Sequence, residues 1–241
     1  RDTPKFRPSG ASEVRRASAS FIEMRDRIQR QIEQRTTMLA GVSHDLRTPL
    51  TRLKLQLAML PQATEIQELN SDIVEMEDML DDYLDFARGY HGETATEIDF
   101  GSFVDQLCRD AERRWPDVQV RLNDTLDEML RVKHNALRRC ITNLVNNACA
   151  HAKLVHVAAR RDPDGTSVLI TVDDNGTGIP AETREDVFRP FYRLDDARTA
   201  QMGGTGLGLA IARDIARGHG GDITLDQSNL GGLQARISIP A

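Results

Sequence analysis

Residues 135–178, NALRRCITNLVNNACAHAKLVHVAARRDPDGTSVLITVDDNGTG, change pattern as they run, and that change decides the fold. The spacing predicts a helix over 135–151. Strands predicted at 153–161 and 166–173 flank Asp162-Pro-Asp-Gly165, a strong turn signal because Pro and Gly each favour a bend. Asp174-Asn-Gly-Thr-Gly178 follows the second strand directly.

Two features of this stretch carry chemistry. Asn143 and Asn147 are four apart, so on a helix they project together, and carboxamide oxygens are hard ligands suited to Mg²⁺ or a bound water. Asn is a poor helix former, so Asn146 and Asn147 in mid-helix need a reason. Polar surface is the plainer alternative. In the D-x-G-x-G run, Gly176 and Gly178 let the backbone approach a ligand, and Asp174 at a strand end can accept a hydrogen bond from an exocyclic amine such as that of adenine. A tight turn is the plainer reading there.

Working outward, a helix is expected over 101–114, with short strands at 118–122 and 128–133. A loop region spans 174–206, a helix 207–218, and strands 222–226 and 233–239 close the chain after Gly220-Gly221. Together these predict an α+β sandwich of about 150 residues, a normal domain size. Gly203-Gly-Thr-Gly-Leu-Gly-Leu209 leads into the last helix. Backbone N–H groups at a glycine-rich helix start form an anion site, although no Gly-Lys-Ser/Thr follows as a P-loop requires. Phe188-Arg-Pro-Phe191, with Arg193 and Arg198 beyond it, reads as a lid with aromatic anchors and cations for phosphate.

Tyr90 to Glu97 reads as a polar linker, and a domain boundary is placed there. Upstream, Val14, Ala17, Phe21, Met24 and Ile28 open a long helical pattern that resumes at Met38, Val42 and Leu46 and continues through Leu50, Leu53, Leu57 and Leu60. Pro49 should kink that helix, because it lacks an N–H and crowds the preceding turn. A second helix follows Thr64. Its seam, Ile66, Leu69, Ile73, Met76, Leu80, Tyr83 and Ala87, alternates spacings of three and four. The two helices make an antiparallel hairpin, and the regular seam predicts dimerisation into a four-helix bundle. The second helix is acidic, and the first carries Arg47, Arg52 and Lys54, so charge complementarity between them is one reading and two solvated faces the other.

Ser43-His44-Asp45-Leu46-Arg47-Thr48-Pro49 lies on the first helix. His44 and Thr48 share a face. Neutral imidazole is a good nucleophile, and the neighbouring Asp45 can orient its N–H and take its proton. A His-Asp pair alone is more often an ordinary surface histidine; the order of all the segments is what distinguishes this one.

Composition sets the outer limits. The chain has 241 residues, 39% hydrophobic and 28% charged, with a net charge of -6. No arm is strongly basic, which argues against a nucleic-acid partner. Cys108, Cys140 and Cys149 form no C-x-x-C pair and fall among apolar residues, as buried thiols of a reducing compartment do. No stretch approaches the ~20 apolar residues of a membrane span, and no signal peptide is visible. The chain opens on Arg1 rather than Met, so it is expected to be a fragment or processed product of a longer protein.

The order of phosphorylatable His on a hairpin, Asn helix, D-x-G-x-G, F-x-P-F and G-x-G-x-G resembles the sensor histidine kinases of bacterial two-component systems. Met38 to Thr51 and Asp196-Ala-Arg-Thr199 are similar to the EnvZ-type osmosensor kinases. The resemblance divides the chain into the C-terminal part of a HAMP linker (1–35), a dimerisation and histidine-phosphotransfer hairpin (36–90) and a catalytic ATP-binding domain (91–241). That last domain would be the α/β sandwich shared with gyrase, Hsp90 and MutL. It implies that His44 accepts the γ-phosphoryl group, Asp45 acts as base, and Asn147 ligates Mg²⁺ with Asn143 beside the phosphates. Asp174 would contact adenine, Gly176 and Gly178 would shape its pocket, and Thr205, Gly206, Leu207 and Gly208 would line the phosphate and lid side with Arg193 and Arg198. It further implies a homodimer, transfer to an aspartate of a response regulator, Thr48-assisted dephosphorylation of that regulator, and a parent protein anchored in the inner membrane. One departure stands out. Many members carry Lys or Arg and then Tyr where this sequence has Ala150 and His151. A catalytically weak scaffold, or mainly a regulator phosphatase, is therefore the alternative. An ATP-gated clamp or an anti-sigma-type serine kinase would need no histidine hairpin.

Overall fold

The computed structural model describes residues 46–58, 93–124, 126–193 and 205–240, together with positions 16, 20–24, 27, 66, 69, 73, 74, 76, 77, 79, 80, 83 and 84. The chain divides into two compact units, 1–89 and 90–241.

Every described residue of the first unit is helical. The helix over 46–58 runs through Pro49. Lys54 of this helix donates from Nζ to Glu77 Oε2 at 2.5 Å, so at least one of the complementary charges does pair the two hairpin helices. Along the second helix Ile73 and Leu84 are buried, while Leu69, Met76 and Tyr83 stay 49%, 53% and 41% exposed. These three seam positions thus have little cover within one chain. Ala87, the last residue of that seam, lies outside the described residues, as do His44 and Asp45.

The second unit runs β1 (Thr96–Asp99), α1 (Phe100–Arg114), β2 (Gln119–Asp124), β3 (Met129–Val132), α2 (His134–His151), β4 (Leu154–Arg161), β5 (Ser167–Asp174), α3 (Gly208–Gly218), β6 (Asp222–Gln227) and β7 (Leu233–Pro240). Two short 3-10 turns, Ala181–Thr183 and Asp186–Phe188, interrupt the segment expected to be loop. β1 pairs antiparallel with β3. The other strands form one sheet in the order β2-β4-β5-β7-β6, parallel only between β2 and β4. Thr96 and Glu97, the first half of β1, fall in sequence read as linker. The strand's four residues, TEID, carry one apolar side chain, and only pairing with β3, across α1 and β2, makes them a strand.

Strand alternation builds the core. Val155, Val157 and Ala159 of β4, Val168, Ile170 and Val172 of β5, and Ala235, Ile237 and Ile239 of β7 are all buried. Against this face pack Phe100 and Val104 of α1, Leu137, Ile141 and Leu144 of α2, and Ile211 and Ile215 of α3. Each such side chain contributes about 1.5–3 kcal/mol by leaving water. The sandwich therefore packs one helix layer against the five-stranded sheet, with the β1–β3 pair beside them. Asp99 caps α1 by accepting from the Ser102 N–H at 3.0 Å.

The three cysteines are buried in this layer. Burial pushes the Cys108 and Cys140 thiols up to about 12 and Cys149 up to about 11, so at neutral pH they are unreactive thiols. No helix among the described residues is long and apolar enough to cross a membrane.

Candidate functional site

The period of two along β5 places Asp174 on the same face as Val168, Ile170 and Val172, at the strand's last position. Its carboxyl is therefore carried into the helix-covered side, where the residue is 3% exposed. Oδ1 accepts from the Gly176 N–H at 2.8 Å and the Leu233 N–H at 3.1 Å. Both structural donors fall on one oxygen, which leaves Oδ2 as the acceptor for a ligand. Burial raises the Asp174 pKa above the usual carboxylate range, against the two N–H donors and the His151 charge, which lower it. A buried carboxyl held this way fits a neutral donor such as an aromatic amine.

The D-N-G turn is fixed on both sides. Asn175 Oδ1 accepts from the Lys153 and Leu154 N–H groups at 3.0 and 2.9 Å, tying the turn to the start of β4. A Cβ at Gly176 would lie 2.6 Å from the His151 carbonyl oxygen, so only glycine lets the turn pass the end of α2. A Cβ at Gly232 would collide with Asp174 Oδ1. Asn175, Gly232 and Leu233 are absent from the sequence-derived site. Asn175 was legible as the second residue of a D-N-G turn; Gly232 and Leu233 are distant in sequence and only the β5–β7 pairing brings them here.

α2 carries the second part. Asn143 Nδ2 donates to the Gly208 carbonyl at 3.2 Å, which joins the Asn helix to the start of α3. Asn147 is one turn further along the same helix. Asn146 serves the fold, because its Oδ1 accepts from Trp115 Nε1 at 3.2 Å. From Asn143 to His151 is eight residues, about 12 Å of helix, long enough to serve a base at one end and phosphates at the other. His151 closes α2 at the Asp174 end, where its charge acts on that carboxyl.

The glycine-rich segment arrives with its own geometry. Gly206 has φ 67°, and a Cβ there would meet the Phe191 carbonyl carbon at 3.0 Å. Its carbonyl accepts from the Phe191 N–H at 3.0 Å, closing the base of the loop between them. Phe191 also has positive φ, 65°, and is exposed. The Leu207 N–H donates to Thr205 Oγ1 at 3.1 Å. The expectation that Leu207 lines the phosphate side needs correction for its side chain, which is buried in the core; only its backbone can serve a ligand. The N-cap residue of α3, Leu207, makes no side-chain cap, and a glycine-rich helix start of this kind is where backbone N–H groups can form an anion site. Phe188 is buried beneath Arg213, whose guanidinium carbon is 4.3 Å from the ring centroid. Arg213 also donates to Glu185 Oε2 at 2.7 Å and Asp222 Oδ1 at 2.8 Å.

The structure thus brings Asn143, Asn147, Asp174, Gly176, Gly178, Thr205, Gly206 and Gly208 into one unit around the end of α2 and the start of α3. Arg193 is exposed. Arg198 lies outside the described residues. Thr48 is on the hairpin helix, in the other unit. A separate depression of about 260 Å³, lined by Asn123, His156, Asp173 and Gln234, involves none of these residues.

Known families match parts of both units of the chain. Residues 132–241 match the family described as "Histidine kinase-, DNA gyrase B-, and HSP90-like ATPase", and residues 34–92 match the "His Kinase A (phospho-acceptor) domain". The sensor histidine kinase CpxA of Escherichia coli K12 is 35% identical over 244 residues, covering 96% of this chain and 52% of the relative. The sensor protein RstB of the same organism is 33% identical over 235 residues, covering 95% of this chain and 54% of the relative. The chain therefore spans about half the length of the curated relatives it matches. The crystal structure of the ATP binding domain of PrrB from Mycobacterium tuberculosis superposes with a TM-score of 0.52 at 30% identity, covering 61% of this chain and 97% of that one. Full-length ShkA, solved in complex with AMPPNP, shares the fold with a TM-score of 0.67 at 22% identity over 85% of this chain and 46% of that one. On its motifs, its sandwich and these matches, the chain belongs to the sensor histidine kinases of two-component systems, with a phospho-acceptor domain followed by a gyrase- and Hsp90-like ATPase domain.

Proposed function

We infer that this chain transfers the γ-phosphoryl group of ATP to His44 and then to an aspartate of a response-regulator receiver domain. The observation that carries the reading is Asp174, a buried carboxyl whose two backbone donors share one oxygen, at the opposite end of the α2 C-terminal half from the Asn143–Gly208 contact. Asp174 Oδ2 takes the exocyclic amine of adenine, and Gly176 and Gly178 give the base room. Asn143, Thr205, Gly206, the Leu207 backbone and Gly208 flank the phosphates, with Arg193 and Arg198 neutralising their charge. Asn147 would hold Mg²⁺ through its carboxamide oxygen, a hard ligand of the kind that ion takes. When bound, Mg²⁺ spreads the charge that develops on the transferring group.

Phosphoryl transfer relies on positioning and charge neutralisation. A ring nitrogen of His44 attacks the γ-phosphorus, the bond to the β–γ bridging oxygen breaks, ADP leaves, and Asp45 takes the imidazole proton. The exposed part of the heptad seam is the surface on which a second copy would complete a four-helix bundle. By family likeness, residues 1–35 belong to a HAMP linker and the parent protein is membrane-anchored. Thr48 would orient water for regulator dephosphorylation.

The test is to label the chain with Mg²⁺ and γ-labelled ATP, compare His44→Gln, and then add a phosphorylated receiver domain with and without Thr48→Ala. Acid-labile label that needs His44, and dephosphorylation that needs Thr48, support the reading. Ala150 favours one second reading, a scaffold or regulator phosphatase with little kinase activity; nucleotide binding without label would select it.

A further inference from the structure

The N-terminus of α2 is capped from outside the helix. Its N-cap residue, Lys133, makes no side-chain cap, and its first turn holds no acid. Instead Glu93 Oε1 accepts from the Asn135 N–H at 2.8 Å and Oε2 from the Ala136 N–H at 3.0 Å. A carboxylate spanning two of the orphan N–H groups answers both their hydrogen-bonding need and the positive end of the helix dipole. Glu93 is 42 residues from Asn135. It lies at the start of the second unit in sequence, between Gly89, which closes the first unit, and Thr96, where the second unit's first strand begins. The Lys133 N–H is held independently, donating to His219 Nε2 at 3.3 Å, while His219 Nδ1 lies 2.8 Å from the Ile215 carbonyl. The start of α2 is therefore fixed by α3 whether or not Glu93 is present.

We propose that Glu93 is a clasp: it fastens the interdomain segment to the helix that carries Asn143 and Asn147, and so sets the length of chain over which the ATP domain is tethered to the His44 hairpin. Glu93 is a positioning residue, with no contact to the nucleotide. In sequence, three residues separate Gly89 from Glu93; without the clasp, Glu93, Thr94 and Ala95 join the tether and the number rises to six. Effective concentration falls roughly as the −3/2 power of tether length, which is about threefold here. Freed residues must also be ordered again each time the domains meet, which adds to the loss. Slower phosphorylation without weaker ATP binding is the signature. The proposal rests on the kinase reading for its functional consequence.

The experiment compares wild type, Glu93→Ala, and Glu93→Ala combined with Lys133→Asp, all in the full chain. Asp at the N-cap can accept from the same two N–H groups, restoring the cap without restoring the tie to the linker. Three quantities are read: amide exchange at residues 93–95, 135 and 136, ATP affinity, and the initial rate of His44 labelling. In Glu93→Ala the Asn135 and Ala136 amides should exchange about fivefold faster, the loss expected for a missing cap. ATP affinity should stay within about twofold, and labelling should slow by about threefold or more. In the double variant the two amides should be protected again while labelling stays slow. Recovery of the wild-type rate in the double variant would reduce Glu93 to an ordinary helix cap. An unchanged or faster rate in Glu93→Ala would refute the tether. If wild type labels no histidine, the kinase reading fails separately, and unchanged exchange at 93–95 in Glu93→Ala would still refute the clasp.

Discussion

Replacing Asp174 with Asn separates the recognition role of this residue from its structural one. Asn has the same shape, so Oδ1 can still accept from Gly176 and Leu233. The second oxygen becomes an NH₂ donor. If that oxygen receives the amine of adenine, two donors then face each other. A hydrogen bond to a charged group is worth about 1.5–3 kcal/mol, so the dissociation constant for ATP should rise roughly ten- to hundredfold. A purine with a 6-keto group presents an acceptor, so discrimination between ATP and GTP should narrow. Stability moves the other way. Burial raises the Asp174 pKa, so the folded state holds its proton more tightly than the unfolded state does. The resulting stability is present at low pH and is lost as pH rises from about 3.9, the ordinary aspartate value, through the raised one. Asn carries no such loss, so Asp174→Asn should melt no lower than wild type at neutral pH, with the difference closing below about pH 4. Calorimetric titration with ATP and GTP, together with thermal melts across pH, measures both effects. Affinity within twofold of wild type, or a fall of several degrees in the melting temperature, would refute the reasoning.

Three further outcomes follow from named contacts. Arg213→Met removes the ion pairs to Glu185 and Asp222 and the cation over Phe188, at a cost of about 1.5–3 kcal/mol in urea unfolding. Burial pulls the Asp222 pKa upward, but Arg213, Arg217 and the Ile223 N–H outweigh it and hold the carboxyl well below the usual range. That stability is full above about pH 4 and is lost as pH falls through the depressed pKa, so the gap to Arg213→Met should close in acid. Trp115→Phe strips the donor from Asn146 and should cost about 1 kcal/mol, read from the denaturation midpoint, with ATP affinity unchanged. Gly176→Ala places a Cβ 2.6 Å from the His151 carbonyl, so the D-N-G turn must shift and ATP titration should show affinity falling at least tenfold, roughly 1.4 kcal/mol.

The parts of this molecule that local patterns control were legible in the sequence. The turn at Asp162 to Gly165 fixed the β4–β5 hairpin, and alternation along β5 carried Asp174 to its place at a strand end. The glycines at 176 and 206 were recognisable because close backbone approach leaves no other residue type. What escaped depended on pairing across long separations. β1 is a strand only because β3 is beside it. Gly232 and Leu233 reach Asp174 through the β5–β7 register. Asn146, a poor helix former in mid-helix, needed a reason, and that reason is Trp115, 31 residues away. Leu207 lies inside a motif read as phosphate-facing, yet its side chain is core. The Glu93 cap had no local signal, since the helix it serves starts 41 residues later.

The central claim is that His44 takes the phosphoryl group of ATP, and one measurement tests it most directly: label retained by the chain after incubation with Mg²⁺ and γ-labelled ATP, before and after acid, beside His44→Gln. The account predicts stable label at neutral pH that is lost in acid and absent from the variant. Label that survives acid, or that persists in His44→Gln, would contradict it.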